Sequence, residues 1–597
     1  MIETRKFLTA LGLCGSAMLL TSATPARQTP LSAQALRARD PSLQMLQNCG
    51  SGRRGEAFRD RIRLAMLLSP SAAAAGQSDP VLVPGLASVH YPISTKNGQA
   101  QLYFDQGLAL VYGFNHAEAI RYFRHAQTLD PDCAACWWGE AFAHGPNINA
   151  PMDPLVNAQA MKAAQTAVSL KAKATPAEQA LIDAVAIRYA ADPKADRAGL
   201  DKAFAEQMLA VAKRFPADDT VAVLAAEAVM DTQPWDYWES DRRTPKGRMA
   251  DAIALVEGVL KRNPDHPQAD HLYIHLLEAS ADPAKAEPYA DRLARPLVPA
   301  AGHLVHMPGH LYYRVGRFKD AIRVNVDAAR IDEDYLKASG EAGLYRFGYY
   351  PHNVHFIVTS AQMAGDMNTA VTEARKLSTI LNTDLSAAMP WVQPVDAAPY
   401  LAYAQFSTPA EILALKAPDA RLPYVTGMWH YARAVAYAQR KDRKSFNREV
   451  AELRRIRETT DFKPMADQLV PAADLLRLAE TVAQARLAYA RGRYKDAIAL
   501  YRQAAVIEDG VRYMEPPFWY YPVRQSLGAA LYKTRDYMGA RQVFMEALAQ
   551  APNNGWALYG LARTQRALGD GNGATATDAA FQRAWIGPAG WLTMDRL

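Results

Sequence analysis

The sequence predicts an almost wholly α-helical chain, a solenoid of helix–turn–helix repeats with irregular insertions. Three observations carry that expectation. A frame of small and aromatic residues returns at a period of 34, no stretch of any length shows strand-like alternation, and half of the 597 residues are apolar, ample for a core spread along a repeat array.

The first element reads as an export signal. Arg5 and Lys6 precede a mostly apolar run from Phe7 to Leu20, and the small residues Thr21 and Ala23 offer cleavage before Thr24, so residues 1–23 are expected to be a signal peptide. The run is too short, and too broken by Gly12, Gly15 and Ser16, for a membrane span, and no other stretch is long and apolar enough. Export to the periplasm is the expectation. Cys14, in Leu11-Gly12-Leu13-Cys14, leaves lipoprotein anchoring as the lesser alternative, because Leu13 takes a place that wants a small residue. Residues 24–99 read as an N-terminal extension and linker, with a helical stretch from Arg53 to Leu68, a low-complexity run from Ser71 to Gly76 and a Pro-containing segment through His90 and Pro92.

The repeat frame begins at residue 100. Tyr103, Gly107, Ala119, Phe123, Ala126 and Pro131 set it, and one period later Trp137 and Ala141 stand where Tyr103 and Gly107 stood. It returns as Ala252, Val256, Val259 and Pro264, as Gly309, Ala321 and Ala328, and as Gly528, Ala540, Phe544, Ala547 and Pro552. On these residues the chain resembles an exported bacterial-type tetratricopeptide-repeat (TPR) protein over most of 100–570, with degenerate units between 150 and 250 and between 385 and 480. Two short amphipathic helices per unit cannot bury their apolar faces alone, so neighbours stack into a superhelix with a concave groove. Residues 100–383 are expected to form N-terminal and central repeats, 384–425 an irregular connector rich in Pro and aromatics (Pro390, Trp391, Pro394, Pro399), and 426–597 the C-terminal repeats.

Eight of the thirteen histidines lie between Asp265 and Phe356: His266, His271, His275, His303, His306, His310, His352 and His355. Residues three or four apart share a helix face, so His271/His275, His303/His306/His310 and His352/His355 each mark one face of one helix. With repeats beginning at Pro267, Gly302 and Pro351, these histidines fall at the second, fifth and ninth places, and His430 at the fifth place of a later unit. In TPR proteins those places line the groove, so the resemblance implies one shared imidazole surface.

Imidazoles so placed suit a transition metal such as Cu, Zn or Fe. Two histidines four apart can grip one ion, and packed helices roughly 8–10 Å apart let opposed imidazoles close on it at about 2 Å. Glu278, one turn beyond His275, offers a carboxylate ligand, a partner behind the ligands, or a general base. The blander alternative is a groove whose histidines hydrogen-bond a peptide or partner's tail.

Cys133 and Cys136, four residues spanning Cys-Ala-Ala-Cys, allow a local disulfide, a redox couple or a metal; Trp137 follows, which excludes the haem-attachment pattern. Two Pro-containing segments, Pro146 to Met152 and Glu515 to Pro522, read as connectors or as walls of the groove. No phosphate-binding Gly-rich loop, dinucleotide fingerprint or nucleophile elbow is present. A net charge of +6, with Arg454, Arg455 and Arg457 interleaved with Glu449, Glu452 and Glu458, does not point to nucleic acid. Two functions from different classes follow: a metalloprotein with paired histidines, or a protein- or peptide-binding scaffold.

Overall fold

The computed structural model describes residues 79–597 apart from 193–194, 340–342, 512–513 and 589. The expected signal peptide, Cys14, Cys49 and the Arg53 to Leu68 stretch lie outside the described residues. Among the described residues the chain is helix and loop, with no strand beyond two isolated bridges, Asn147 with Ala150 and Trp238 with Pro245. No described helix is long and apolar enough to cross a membrane.

The repeat frame has a direct packing cause. Gly98–Tyr112 and His116–Leu129 form the first helical hairpin, and Ala134–Ala143 packs on it. Phe123 sits between Gly107 and Gly139, where an added Cβ would lie 2.7 and 2.6 Å from its ring. Only glycine lets the flanking helices close on that ring. Phe544 repeats the arrangement between Gly528 and Gly560. Helix starts are fixed by side-chain caps, with Asn97 accepting from the N–H of Gln99 and Asn115 from that of Glu118.

Two apolar cores run along the array, one from Leu86 to Tyr349 and one from Ala329 to Leu597. The array curls so that both ends meet the middle. On the N-terminal side, Ser88 Oγ donates to the Leu297 carbonyl and Ala300 N–H to the Gly85 carbonyl at 3.2 Å. On the C-terminal side, Trp556 Nε1 donates to the Gln362 carbonyl and Ile586 N–H to that of Ala364, both at 2.9 Å. Gly316 and Gly365 end their helices at φ of 79° and 72° and lie against Pro552 and Trp585, so both the backbone and the close approach require glycine.

The segment expected to be an irregular connector, 384–425, is instead mostly helical. Gln393–Phe406 packs between Met367–Ile380 and Pro423–Gln439 as a member of the array. Pro394 falls in its first turn, where no N–H is needed, and Pro399 is the one proline inside it. The chain before the first helix lies along the repeats, with Val83 and Gln106 exchanging two hydrogen bonds of 2.8 and 3.0 Å.

Candidate metal centre

Four helices supply the histidines. Pro267–Glu278 starts on His266, whose ring nitrogen accepts from Ala269 N–H, and carries His271 and His275 one turn apart. Gly302–His306 and Pro308–Val315 follow one another, Pro308 opening the second where its missing N–H costs nothing. They carry His303, His306 and His310. A π turn at Tyr345–Tyr349 leads into Tyr350–Ala364, which carries His352 and His355.

These helices bring six of the seven expected histidines into two groups. In the first, nitrogens of His271, His275 and His303 all lie within 4.8 Å of one another; in the second, those of His306, His310 and His352 do. Ring centres in the first group are 4.8, 5.0 and 6.2 Å apart, and in the second 4.7, 4.9 and 5.4 Å. Imidazoles that share an ion at about 2.0–2.1 Å have ring centres about 3.2 Å from it, hence roughly 5–5.5 Å from one another. The second group lies close to that spacing, and the first departs from it chiefly in the 6.2 Å between His275 and His303. The groups abut, with His303 to His306 at 5.9 Å and His275 to His310 at 6.0 Å between ring centres.

The hydrogen bonds orient the rings. His271 Nδ1 donates to Gln268 Oε1 at 3.0 Å, and Gln268 Nε2 to Glu227 at 2.9 Å. His275 Nδ1 donates to Glu278 Oε1 at 2.9 Å, and His306 Nδ1 to Asn325 Oδ1 at 2.5 Å. His310 Nδ1 faces two carboxylates, Glu278 Oε2 at 2.9 Å and Glu515 Oε2. Fixing the proton on Nδ1 leaves Nε2 with a lone pair. The Nε2 atoms of His271, His275 and His306, and both nitrogens of His303, are buried without a hydrogen-bond partner, whereas His310 Nε2 lies 3.2 Å from His352 Nε2. Buried polar atoms left this way are costly unless another species takes the lone pair.

Charge follows the same plan. Burial, then neighbouring imidazoles, hold His271, His275, His303, His306 and His352 well below the ordinary imidazole value, so these are neutral. Burial opposes charge on His310 too, but Glu278 and Glu515 overcome it and raise its pKa to about 10. Burial, then Glu278, pushes Glu515 up to about 8. Glu278, Glu515 and His310 also draw close, but through the Nδ1 side of a ring whose Nε2 faces the other way. Glu278 therefore joins the two groups from behind, one oxygen to each.

The expected groove is closed here. His271 and His306 have no exposed surface and Glu278 is 1% exposed, because loops from both ends of the array cover them. Glu515 reaches His310, and Tyr520 stands 3.0 Å from Nε2 of His355. On the other side, Phe114 lies 4.7 Å from the His271 ring, and Trp235, 5.1 Å from that of His275, donates to the Ile148 carbonyl. The two Pro-containing segments thus form walls. His355 enters neither group, and His430 pairs with Glu449 at 2.7 Å. Cys133 and Cys136 are joined as a disulfide at the start of Ala134–Ala143, away from the histidines.

Sequence reasoning passed over Gln268, Asn325, Phe114 and Phe356, and named Glu515 only as the start of a wall segment, not as a partner of His310. Asn325 had a local signal: it lies sixteen residues after Gly309, the place that Phe123 holds after Gly107 and Phe544 after Gly528.

The family profile described as Tetratricopeptide repeat matches residues 100–133. Solved structures with similar helical arrays include a human IFIT1 dimer with m7Gppp-AAAA (10% identity, 91% of this chain, 98% of that chain, TM-score 0.29). Yeast Tom70 (12%, 83% and 93%, TM-score 0.25) and the P58(IPK) TPR domain (14%, 81% and 92%, TM-score 0.21) are also similar. No curated protein sequence matches the chain.

Proposed function

We propose that this chain is an exported, periplasmic metalloprotein that holds two transition-metal ions, one in each three-histidine group. The observation that carries the reading is the gathering of six buried histidines into two sets of three, with the nitrogens of each set within 4.8 Å of one another and the Nε2 atoms of His271, His275, His303 and His306 without a hydrogen-bond partner. The nitrogens need close by only about one ångström to reach a shared ion. His271, His275 and His303 hold one ion and His306, His310 and His352 the other. Gln268, Asn325, Glu278 and Glu515 hold the rings from behind, which is the outer support that metal-binding histidines use. Glu278 is a positioning residue in this reading, since both of its oxygens are spent on imidazole N–H groups.

A second reading, a protein- or peptide-binding scaffold, is favoured by the repeat match at 100–133. Partners would then meet surfaces other than the buried histidines. Titration of metal-stripped protein with Cu, Zn and Fe salts, followed by equilibrium dialysis, tests the first reading. Two bound equivalents of one metal are expected, and no retained metal from any of the three would reject it. Export is tested by N-terminal sequencing of protein from the periplasm, with Thr24 expected first.

A further inference from the structure

Each histidine group has one phenyl ring that lies against all three of its imidazoles. Phe114 lies 4.7, 6.1 and 5.1 Å from the rings of His271, His275 and His303. Phe356 lies 5.1, 4.7 and 5.0 Å from those of His306, His310 and His352. With the spacings among the histidines, the four ring centres of the second group mark a nearly regular tetrahedron and those of the first a distorted one. The fourth corner, which a fourth ligand would take, holds a phenyl ring in both.

Both rings are built into place. Phe356 is one helical turn beyond His352 on Tyr350–Ala364. Phe114 has a φ of 54°, a left-handed conformation that a bulky residue seldom adopts. Hydrogen bonds of 2.9 Å from Phe114 N–H to Val111 and from Asn115 N–H to Leu110 hold that turn. Strain of this kind persists where the surroundings demand it.

Resting on the metal reading above, we propose that Phe114 and Phe356 close the fourth coordination position and select two copper(I) ions, each bound by three imidazoles. Zn²⁺ in proteins is almost always four-coordinate, through a fourth side chain or a water. A phenyl ring offers no lone pair and fills the volume a water needs. Copper(I), with a filled d shell and one charge, is stable with three nitrogens. Burial favours the lower charge as well, since the desolvation cost of an ion rises steeply with its charge.

The test loads the metal-stripped full chain under anaerobic conditions with copper(I), and separately with Zn²⁺ and Co²⁺, in competition with chromophoric chelators. X-ray absorption then counts the ligands. Two copper(I) ions per chain with three nitrogen scatterers each, and displacement of Zn²⁺ by copper(I), are expected. F356H adds a fourth imidazole and should tighten Co²⁺ at least tenfold, with the intense visible bands of a tetrahedral ion; F356L should keep the copper preference and the count of three. F114H repeats the test at the first group if F356H loses its helical circular dichroism. Four-coordinate Zn²⁺ or Co²⁺ held by the wild type as tightly as copper(I) would overturn the copper assignment and leave the metal reading standing. Failure to bind any of these ions would overturn both.

Discussion

The repeat around Phe544 and the repeat around Asn325 share a backbone frame and differ in what fills it. In one, the residue sixteen places after the small Gly528 is a phenyl ring clasped by Gly528 and Gly560. In the other, the residue sixteen places after Gly309 is an amide that lies close against it and reaches His306 at 2.5 Å, while its own N–H group donates to Ala321. The first repeat spends its central position on packing, the second on aiming an imidazole. A repeat array can therefore place chemistry at a fixed frame position without changing the helices, provided neighbouring units carry the apolar burden.

Acid should separate the two regions most widely. Burial, and for His116 also Arg188, lowers the pKa of His116 and His266 to about 4; burial lowers that of His355 to about 3. The unfolded chain binds more protons between its ordinary value of 6.5 and these folded values, so stability is full above about pH 6.5 and falls as pH drops toward 4. His310, raised to about 10, works in the opposite sense, its contribution complete below 6.5 and lost as pH rises through 10. Hydrogen exchange of metal-free protein at pH 5 should show protection lost first in Pro267–Glu278 and Tyr350–Ala364, and kept in Val523–Lys533 and Gly555–Ala567. Uniform loss would erase the distinction.

The apolar repeat is broken by Phe544→Ala. Denaturant unfolding should show a loss of about 3–5 kcal/mol, from lost burial and the cavity left behind. The same loss with and without metal would confirm that this repeat is structural. Glu278→Gln should weaken both ions, each about 10–100-fold, because one side chain orients a ring in each group. An effect on one ion alone would refute the shared role. Asn325→Ala should weaken only the ion held by His306, by a similar factor or less, and cost about 1–3 kcal/mol from the unpartnered imidazole N–H. Competition with a chelator measures both.

The helical array was legible because its signals are local. Gly107, Phe123, Gly528 and Phe544 carry the period, and spacings of three and four put His271 with His275 and His306 with His310 on common faces. The same frame exposed Asn325 as an amide in a phenyl place, a signal present and unread. The closure of the array was not legible. Glu515 and His310 are 205 residues apart, and Tyr520 and His355 are 165 apart. Nothing local in Glu515 to Pro522 says which helix it will cover. For that reason the sequence placed the histidines in a concave groove without deciding whether it was open or closed, and His355, in register with the others, turns to Tyr520.

The most direct measurement is the metal content of purified protein by elemental mass spectrometry, for the wild type and two variants, His271→Ala/His275→Ala and His306→Ala/His310→Ala. Two ions per chain in the wild type and one in each variant are the predicted result. Equal metal in all three, or none in a folded wild type after exposure to Cu, Zn and Fe, would contradict the account.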